Sequence, residues 1–247
     1  MGRLLIAQAA SRIKPLSLEL GGHAPVLVFD DADVDVAVQG VLLAKFRNAG
    51  QACTAANRVY VQNGIWQEFV SRFEDKVRAL KVGEGHEPGV EVGPLINASA
   101  LHKAERHIAD AVAKGANVLV GGGKLERRGN FLAPTILTNV APQSLCMHEE
   151  TFAPIAPLCP FDSEAEAVAM ANDSSYGLAA YAFTRDLGRT FRLAEALEAG
   201  TIAINDGLPA TSQAPFGGVK QSGWGRELGS EGLDAFMETK HISLGLG

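Results

Sequence analysis

The chain has 247 residues, enough for one or two domains with a sizeable buried core. With 47% hydrophobic residues, 20% charged residues and a mean hydropathy of +0.06, it has the composition of an ordinary soluble globular protein. The net charge of -6 and the scattered lysines and arginines argue against nucleic-acid binding, and no apolar run reaches the ~20 residues of a membrane span. Three cysteines, an odd number, indicate a reducing compartment, so we expect a cytoplasmic protein.

The first ten residues combine a positive charge with a short apolar run, as a signal peptide would. The run is too short for that purpose, and Gln8 interrupts it. The spacing of Leu4, Leu5 and Ala9 suits the end of an amphipathic helix instead.

Along the chain, apolar runs bounded by turn residues alternate with segments of helical periodicity. The runs predict strands at 16–20, 25–29, 58–61, 118–120, 131–137, 155–158, 178–183, 201–204 and 241–244. The periodic segments predict helices at 34–46, 65–80, 98–114, 163–170, 187–199 and 228–237.

This alternation predicts an α/β fold with a largely parallel open sheet and flanking helices. The last predicted strand, at 241–244, follows a glycine-rich crossover and ends the chain. An unpaired terminal strand can add to the sheet of another subunit, so we expect a homo-oligomer that uses this strand.

Two side chains are candidates for catalysis. Cys53 follows a helix-periodic run, in a tight turn of small polar residues where a thiol can meet a substrate; the alternative is a small buried packing residue. Glu19 ends a strand in apolar company, where its pKa would rise and it could act as a general base; the alternative is a glutamate that faces solvent. A thiol and a carboxylate on successive loops at one end of an α/β sheet are placed as in an active site.

Other candidates give weaker signals. His102 and His107 are five residues apart, miss the spacing of a helical metal site and are interpreted as solvated helix residues. His23 is interpreted as structural, and Cys146 and Cys159 as packing residues. The glycine-rich segment 215–225 lacks a dinucleotide fingerprint and either lines a pocket or crosses as a loop.

Four ordered motifs extend over most of the chain: a glutamate motif at 19–25, a cysteine motif F-x-N-x-G-Q-x-C at 46–53, E-E-x-F-G-P at 149–154 with Ala153 in place of glycine, and a C-terminal signature at 215–227. In these motifs the chain resembles the NAD(P)-dependent aldehyde dehydrogenases. Within that family, the run at 46–51 and the ending at 241–244 most resemble the succinate-semialdehyde dehydrogenase branch.

The resemblance implies roles for five residues at the reaction centre. The Cys53 thiolate would attack the aldehyde carbon to give a thiohemiacetal, and hydride would pass to NAD or NADP. Glu19 would activate the water that hydrolyses the resulting thioester. Glu150 would bind the nicotinamide ribose, with Phe152 and Leu20 also at the cofactor.

The resemblance also implies a substrate site formed by Arg47, Thr211, Ser212 and Phe216, in which Arg47 pairs with the distal carboxylate of a small semialdehyde. The branch's carboxylate-binding serine is replaced here by Ala210. Succinate semialdehyde is therefore the expected substrate, with a longer or different semialdehyde as the alternative.

A second departure lies two residues after the nucleophile, where Ala55 replaces a cysteine that the branch often carries. This replacement excludes a disulfide switch between Cys53 and that position.

Family members are roughly twice as long, and Gly2 matches the last glycine of their phosphate-binding G-S-x-x-x-G. The resemblance therefore implies a cofactor-domain helix remnant at 1–15, a catalytic domain at 16–225 and a C-terminal helix and interaction strand at 226–247. We expect a reactive Cys53 but little or no NAD(P)-dependent turnover by this chain alone. The alternatives are a non-catalytic oligomerising fragment and a cofactor-independent thiol esterase.

Overall fold

Seven α-helices and eleven β-strands, with three short 3-10 turns, make up the computed structural model, which describes residues 1–247. The helices are α1 (Gly2–Ala9), α2 (Val34–Phe46), α3 (Trp66–Ala79), α4 (Ala98–Ala113), α5 (Glu164–Asn172), α6 (Leu187–Ala196) and α7 (Glu231–Asp234). The strands are β1 (Leu18–Glu19), β2 (Ala24–Val28), β3 (Ala56–Gln62), β4 (Asn117–Val120), β5 (Thr135–Thr138), β6 (Ile155–Phe161), β7 (Tyr176–Gly177), β8 (Ala179–Phe183), β9 (Thr201–Ile204), β10 (Val219–Lys220) and β11 (Gly223–Trp224).

Seven of the strands form one sheet in the order β4-β5-β6-β3-β2-β8-β9. All neighbours in this sheet are parallel except the edge pair β4 and β5, which confirms the predicted α/β fold with a largely parallel sheet. Every residue of the central strands β2 and β8 is buried, because helices cover both faces of the sheet.

The helices dock through apolar faces that the sequence periodicity predicts. On α3, Phe69, Phe73 and Val77 are buried, and the Phe73 ring lies 6.1 Å from that of Phe46 on α2. The N-cap of α2 is Asp33, whose Oδ1 accepts hydrogen bonds from the backbone N–H groups of Asp35 and Val36 at 3.1 and 3.2 Å.

Two short ladders fix the glycine-rich segment 215–225 against the main sheet. Strand β11 pairs antiparallel with β1, and β10 pairs antiparallel with β7. Because β1 and β7 immediately precede β2 and β8, these ladders bring the segment to the amino ends of the parallel strands.

The structure differs from the prediction near the C-terminus. The helix predicted at 228–237 is reduced to Glu231–Asp234, because Leu228 and Gly229 adopt left-handed φ values of 60° and 56°. The strand predicted at 241–244 is not formed in the single chain, where residues 238–247 have no regular structure and pair with no sheet edge. A strand needs a partner, so its role in an oligomer stays a prediction.

The strand predicted at 131–137 begins only at Thr135, directly after Pro134, which cannot donate to a ladder.

None of the helices has the length and apolar character to span a bilayer.

Candidate active site

The predicted site residues gather at the amino edge of the parallel sheet. Gly22 lies just before β2, Cys53 just before β3 and Glu150 just before β6. Open α/β sheets usually bind ligands at the opposite, carboxyl edge. The expectation that Glu19 and Cys53 lie on successive loops at one end of the sheet is correct, but the end is the amino one.

At the carboxyl edge, the position between β2 and β8 is occupied by an acidic side chain of the chain itself. Asp31 follows β2, and its carboxylate accepts hydrogen bonds from the Thr184 hydroxyl at 2.9 and 2.8 Å and from the backbone N–H groups of Arg185 and Asp186 at 2.9 Å. Arg189 adds an ion pair at 2.6 Å. The donors between β2 and β8 that could bind an anion there are therefore already satisfied.

The backbone before Cys53 is strained. Asn48 and Ala49 have left-handed φ values of 53° and 56°, and Gly50 follows at 71°. The Gln51 side chain holds the turn in place, donating to the Pro94 carbonyl at 3.3 Å and accepting from the Ile96 N–H at 2.9 Å. The two contacts of Gln51 thus hold the turn in its strained conformation, as expected for a loop that presents a reactive side chain.

Cys53 is partly exposed, whereas the other two cysteines are buried. Burial, together with the nearby charges of Glu150 and Glu19, raises the pKa of Cys53, so the thiol needs a base to become a thiolate. The Cys53 backbone N–H donates no hydrogen bond within the chain and is free to bind an oxyanion. Burial raises the pKa of Cys146 and of Cys159 to about 12, which agrees with their interpretation as packing residues.

Glu19 has the properties of a general base. Both of its carboxyl oxygens are inaccessible and have no hydrogen-bond partner. Burial, reinforced by the negative charge of Glu227 and opposed by Arg226, raises the pKa of Glu19 to about 7. The direction of this pKa shift agrees with the expectation from the sequence, and the inaccessible carboxyl oxygens do not face solvent.

Glu150 lies against the glycine pair that follows Glu19. Its Oε1 accepts a hydrogen bond from the Gly22 N–H at 2.9 Å, and a Cβ at Gly21 would lie 3.0 Å from Oε2. Because a Cβ at Gly22 would lie only 2.2 Å from the Cys53 carbonyl oxygen, Glu150 borders the surroundings of Cys53.

The other two residues predicted at the cofactor lie nearby in the sequence motifs. Phe152 has a left-handed φ of 53° and an exposed side chain. Leu20 donates its N–H to the Ser222 carbonyl at 3.1 Å.

Of the four predicted substrate residues, only Arg47 lines the cavity beside the nucleophile. This cavity has a volume of about 180 Å³ and is also lined by Thr54, Tyr181 and Ala210. Thr211 and Ser212 are exposed and do not line it. The backbone of Phe216 pairs with that of Glu227 at 2.7 Å, which places Phe216 on the side of Glu19 and outside this cavity.

Several site-forming residues were not predicted from the sequence. Tyr181 donates its hydroxyl to the Thr54 carbonyl at 2.7 Å and so forms one wall of the cavity. Ser222 donates to the Gly21 carbonyl at 2.8 Å and accepts from the Gly177 N–H at 3.0 Å, joining the glycine pair to the C-terminal signature. The only sign of this role in the sequence is that Ser222 lies between Gly218 and Gly223 of the C-terminal signature.

One interpretation of the histidines is wrong. His102 is exposed as expected, but His107 is fully buried, since it shares a helix face with Ala104, Ile108 and Ala111. His23 is buried and lies 3.1 Å from the Cys146 carbonyl, which agrees with a structural role. No group of three or more metal-ligating side chains occurs in the chain.

Comparison with known proteins agrees with this geometry. The model of the family described as "Aldehyde dehydrogenase family" matches residues 1–242. The chain is 52% identical over 245 residues to a probable succinate-semialdehyde dehydrogenase [NADP(+)] of Sinorhizobium fredii, covering 99% of this chain and 50% of that protein. It is 51% identical over 245 residues to a glutarate-semialdehyde dehydrogenase of Pseudomonas aeruginosa, covering 99% of this chain and 51% of that protein.

Among solved structures, an NADP-dependent enzyme of E. coli superposes with a TM-score of 0.98 at 51% identity, covering 99% of this chain and 51% of that one. The chain thus spans about half the length of the curated relatives it matches. Because the family model extends over almost the whole sequence and the fold agrees with a solved relative, the chain belongs to the aldehyde dehydrogenase family.

Proposed function

We propose that this chain carries the catalytic residues of an NAD(P)-dependent semialdehyde dehydrogenase, with Cys53 as nucleophile and Glu19 as base. The observation that carries the proposal is the buried, unpaired carboxyl of Glu19, whose pKa of about 7 suits proton transfer at neutral pH. Its charge reaches the Cys53 thiol, whose pKa it raises.

In the proposed reaction, the Cys53 sulfur loses its proton to Glu19 and bonds to the aldehyde carbon, while the carbonyl oxygen becomes an oxyanion. The free Cys53 N–H donates to that oxyanion. A nicotinamide cofactor, when bound, supplies the acceptor for the hydride that leaves the same carbon. Before the next step, Glu19 releases the proton from Cys53 to solvent and becomes a carboxylate again. It then takes a proton from water, whose oxygen bonds to the thioester carbon as the bond from that carbon to sulfur breaks; this gives a carboxylic acid, and the Cys53 thiolate regains its proton from Glu19.

The residues toward the cofactor fit this scheme only in part. Glu150 offers a carboxylate as acceptor for the ribose hydroxyls, and Phe152 offers an exposed ring. Residues that would bind the adenosine end are not evident in this chain, and NAD and NADP remain alternatives, although a relative is named for NADP(+). We therefore expect little or no cofactor-dependent turnover by the chain alone.

We propose a small semialdehyde with a distal anion as substrate. Arg47 supplies the positive charge in the cavity of about 180 Å³, and Ala210 leaves room where a serine would narrow it. Relatives named for succinate semialdehyde and for glutarate semialdehyde match this chain equally well. Both chain lengths are therefore candidates.

We further propose that 1–15 belongs to a cofactor domain, 16–225 to the catalytic domain and 226–247 to an oligomer contact. Ile242, Leu244 and Leu246 are each at least 79% exposed, so the terminal segment has apolar side chains that a second subunit would cover. A concentration-independent monomer in sedimentation equilibrium would contradict this assignment.

The central test uses no cofactor. Iodoacetamide labelling of Cys53 should be slowed by succinate semialdehyde, because the thiohemiacetal occupies the sulfur. Cys53→Ser should abolish labelling, whereas Cys146→Ser and Cys159→Ser, which change buried thiols, should leave it intact. Labelling of Cys53 that is indifferent to aldehyde would overturn the proposal. Steady NADPH or NADH formation by the chain alone would overturn only the expected lack of turnover.

A thiol esterase is the second candidate, because the Cys53 and Glu19 pair lies entirely within this chain. Hydrolysis of a nitrophenyl ester that rises through about pH 7 and disappears in Cys53→Ser and in Glu19→Gln would support it. Absence of ester hydrolysis alongside aldehyde-protected labelling would leave only the dehydrogenase proposal.

A further inference from the structure

Three side chains of helix α4 contact the two adjacent residues Glu149 and Glu150. The Lys103 ammonium donates to the Glu150 carbonyl. One turn further along α4, Arg106 donates to the Glu149 carboxylate at 2.8 Å, and the Nε2 atom of His107 lies 3.2 Å from the same carboxylate oxygen. Three polar contacts from one helix thus hold two adjacent residues of one loop.

Burial of the His107 ring is unfavourable, and its contact with Glu149 offsets part of that cost. The His107 ring is fully buried, and its Nδ1 has no hydrogen-bond partner. Burial lowers the pKa of His107, so the ring is neutral, and because a carboxylate only accepts, Nε2 carries the hydrogen. An unpaired acceptor inside an apolar face is unfavourable, and the interaction with Glu149 is the only polar contact that offsets it.

The contacts continue from Glu150 to Cys53 through the backbone of Gly22. The Glu150 carboxylate accepts the Gly22 N–H at 2.9 Å. Gly22 in turn lies directly against the carbonyl of Cys53, which a Cβ would approach to 2.2 Å. Side chains of α4, the 149–150 loop, Gly22 and Cys53 therefore form one continuous series of contacts.

We propose that His107 and Glu149 are positioning residues that hold the Glu150 carboxylate on the Gly22 N–H and so set the backbone beside Cys53. The inference rests on the proposed function only in giving Glu150 a role toward the cofactor. The contacts themselves involve no cofactor and no substrate.

The test measures the Gly22 amide directly. In the full chain labelled with ¹⁵N, Glu149→Ala should speed hydrogen exchange at Gly22 by about tenfold or more, because the carboxylate that accepts this N–H is no longer held. Glu149→Gln keeps an acceptor for His107 and should return the rate to within about twofold of the parent. His107→Phe should act like Glu149→Ala, and His102→Phe, on the exposed face of the same helix, should leave Gly22 exchange unchanged.

Two results would overturn the proposal. One is unchanged exchange at Gly22 in Glu149→Ala. The other is an equal acceleration at Gly22 and at core amides such as that of Phe73, because uniform acceleration reports lost stability and not lost positioning. Glu149 has a side chain that is 43% exposed, so its variants remain informative even if His107→Phe does not fold. Because aldehyde-protected labelling of Cys53 is measured separately, failure of either idea leaves the other intact.

Discussion

The Oε1 atom of Glu19 faces the backbone of Gly217 so closely that a Cβ at position 217 would lie 2.9 Å from it. The same Cβ would lie 2.5 Å from the Gly225 carbonyl oxygen. Gly217 therefore provides the space in which the buried carboxyl resides. Of the two interpretations of the glycine-rich segment, the close approach of its backbone to another group is thus observed at Gly217.

We expect Gly217→Ala to destabilise the fold by about 1 to 3 kcal/mol and to disturb Glu19, because the added methyl group overlaps a backbone carbonyl that cannot move freely. Urea unfolding measures the loss. Gly93→Ala is the matched control, since a Cβ there meets nothing within 4 Å. Equal stability of the two variants would contradict the close approach.

Glu19→Gln should change how stability depends on pH. The pKa of Glu19 is raised from 4.5 to about 7, so between these values the folded chain keeps a proton that the unfolded chain releases. Wild-type stability should thus decline across this window relative to Glu19→Gln, whose side chain does not titrate, and the difference should level off above about pH 7. Urea unfolding from pH 4.5 to 8 tests this, and a pH-independent difference would contradict the raised pKa.

Arg47→Gln should weaken binding of anionic aldehydes to Cys53. We expect the concentration of succinate semialdehyde that half-protects Cys53 from iodoacetamide to rise about tenfold, because a charge-assisted contact is lost. Protection by butanal, which has no distal anion, should not change. Arg185→Gln at the carboxyl edge is the control for a general effect of charge. A similar change for both aldehydes would remove Arg47 from the substrate site.

Arg58→Met should be among the most destabilising single substitutions. The guanidinium is buried, pairs with no acid and donates to the carbonyls of His23, Met170, Ala171 and Asp173 at 2.8 to 3.3 Å. Methionine leaves these carbonyls unpaired, at an expected cost of more than about 3 kcal/mol.

Arg72→Met is the matched control for Arg58→Met. Arg72 forms only surface ion pairs with Asp35 and Glu68, so its replacement should cost far less stability than that of Arg58. If the two free energies of unfolding were similar, the four carbonyl contacts would contribute no more than a surface pair.

Local patterns in the sequence were sufficient for most elements and for the choice of candidate site residues. The bounds of α2 and β9 were predicted to the residue, because a side-chain cap or a preceding glycine marks their ends. Turn chemistry and apolar surroundings made Glu19 and Cys53 candidates, and the resemblance of the motifs around them to a family implied their roles. Where a long-range partner decides the outcome, as for residues 241–244, the sequence predicted a strand that the single chain does not form.

By itself, then, the sequence predicted the α/β fold and the resemblance to the family and singled out Cys53 and Glu19, because each of these depends on residue types at short separations. Only the tertiary structure decided that the candidate site lies at the amino edge of the sheet, that Asp31 occupies the carboxyl edge between β2 and β8, and that Arg47 shares its cavity with Ala210 and Tyr181 but not with Thr211 or Ser212. It also decided that His107 is buried against Glu149. The physical reason is the same in each case: burial and hydrogen bonding between residues far apart in the chain are set by how the elements pack, and periodicity describes only one element at a time.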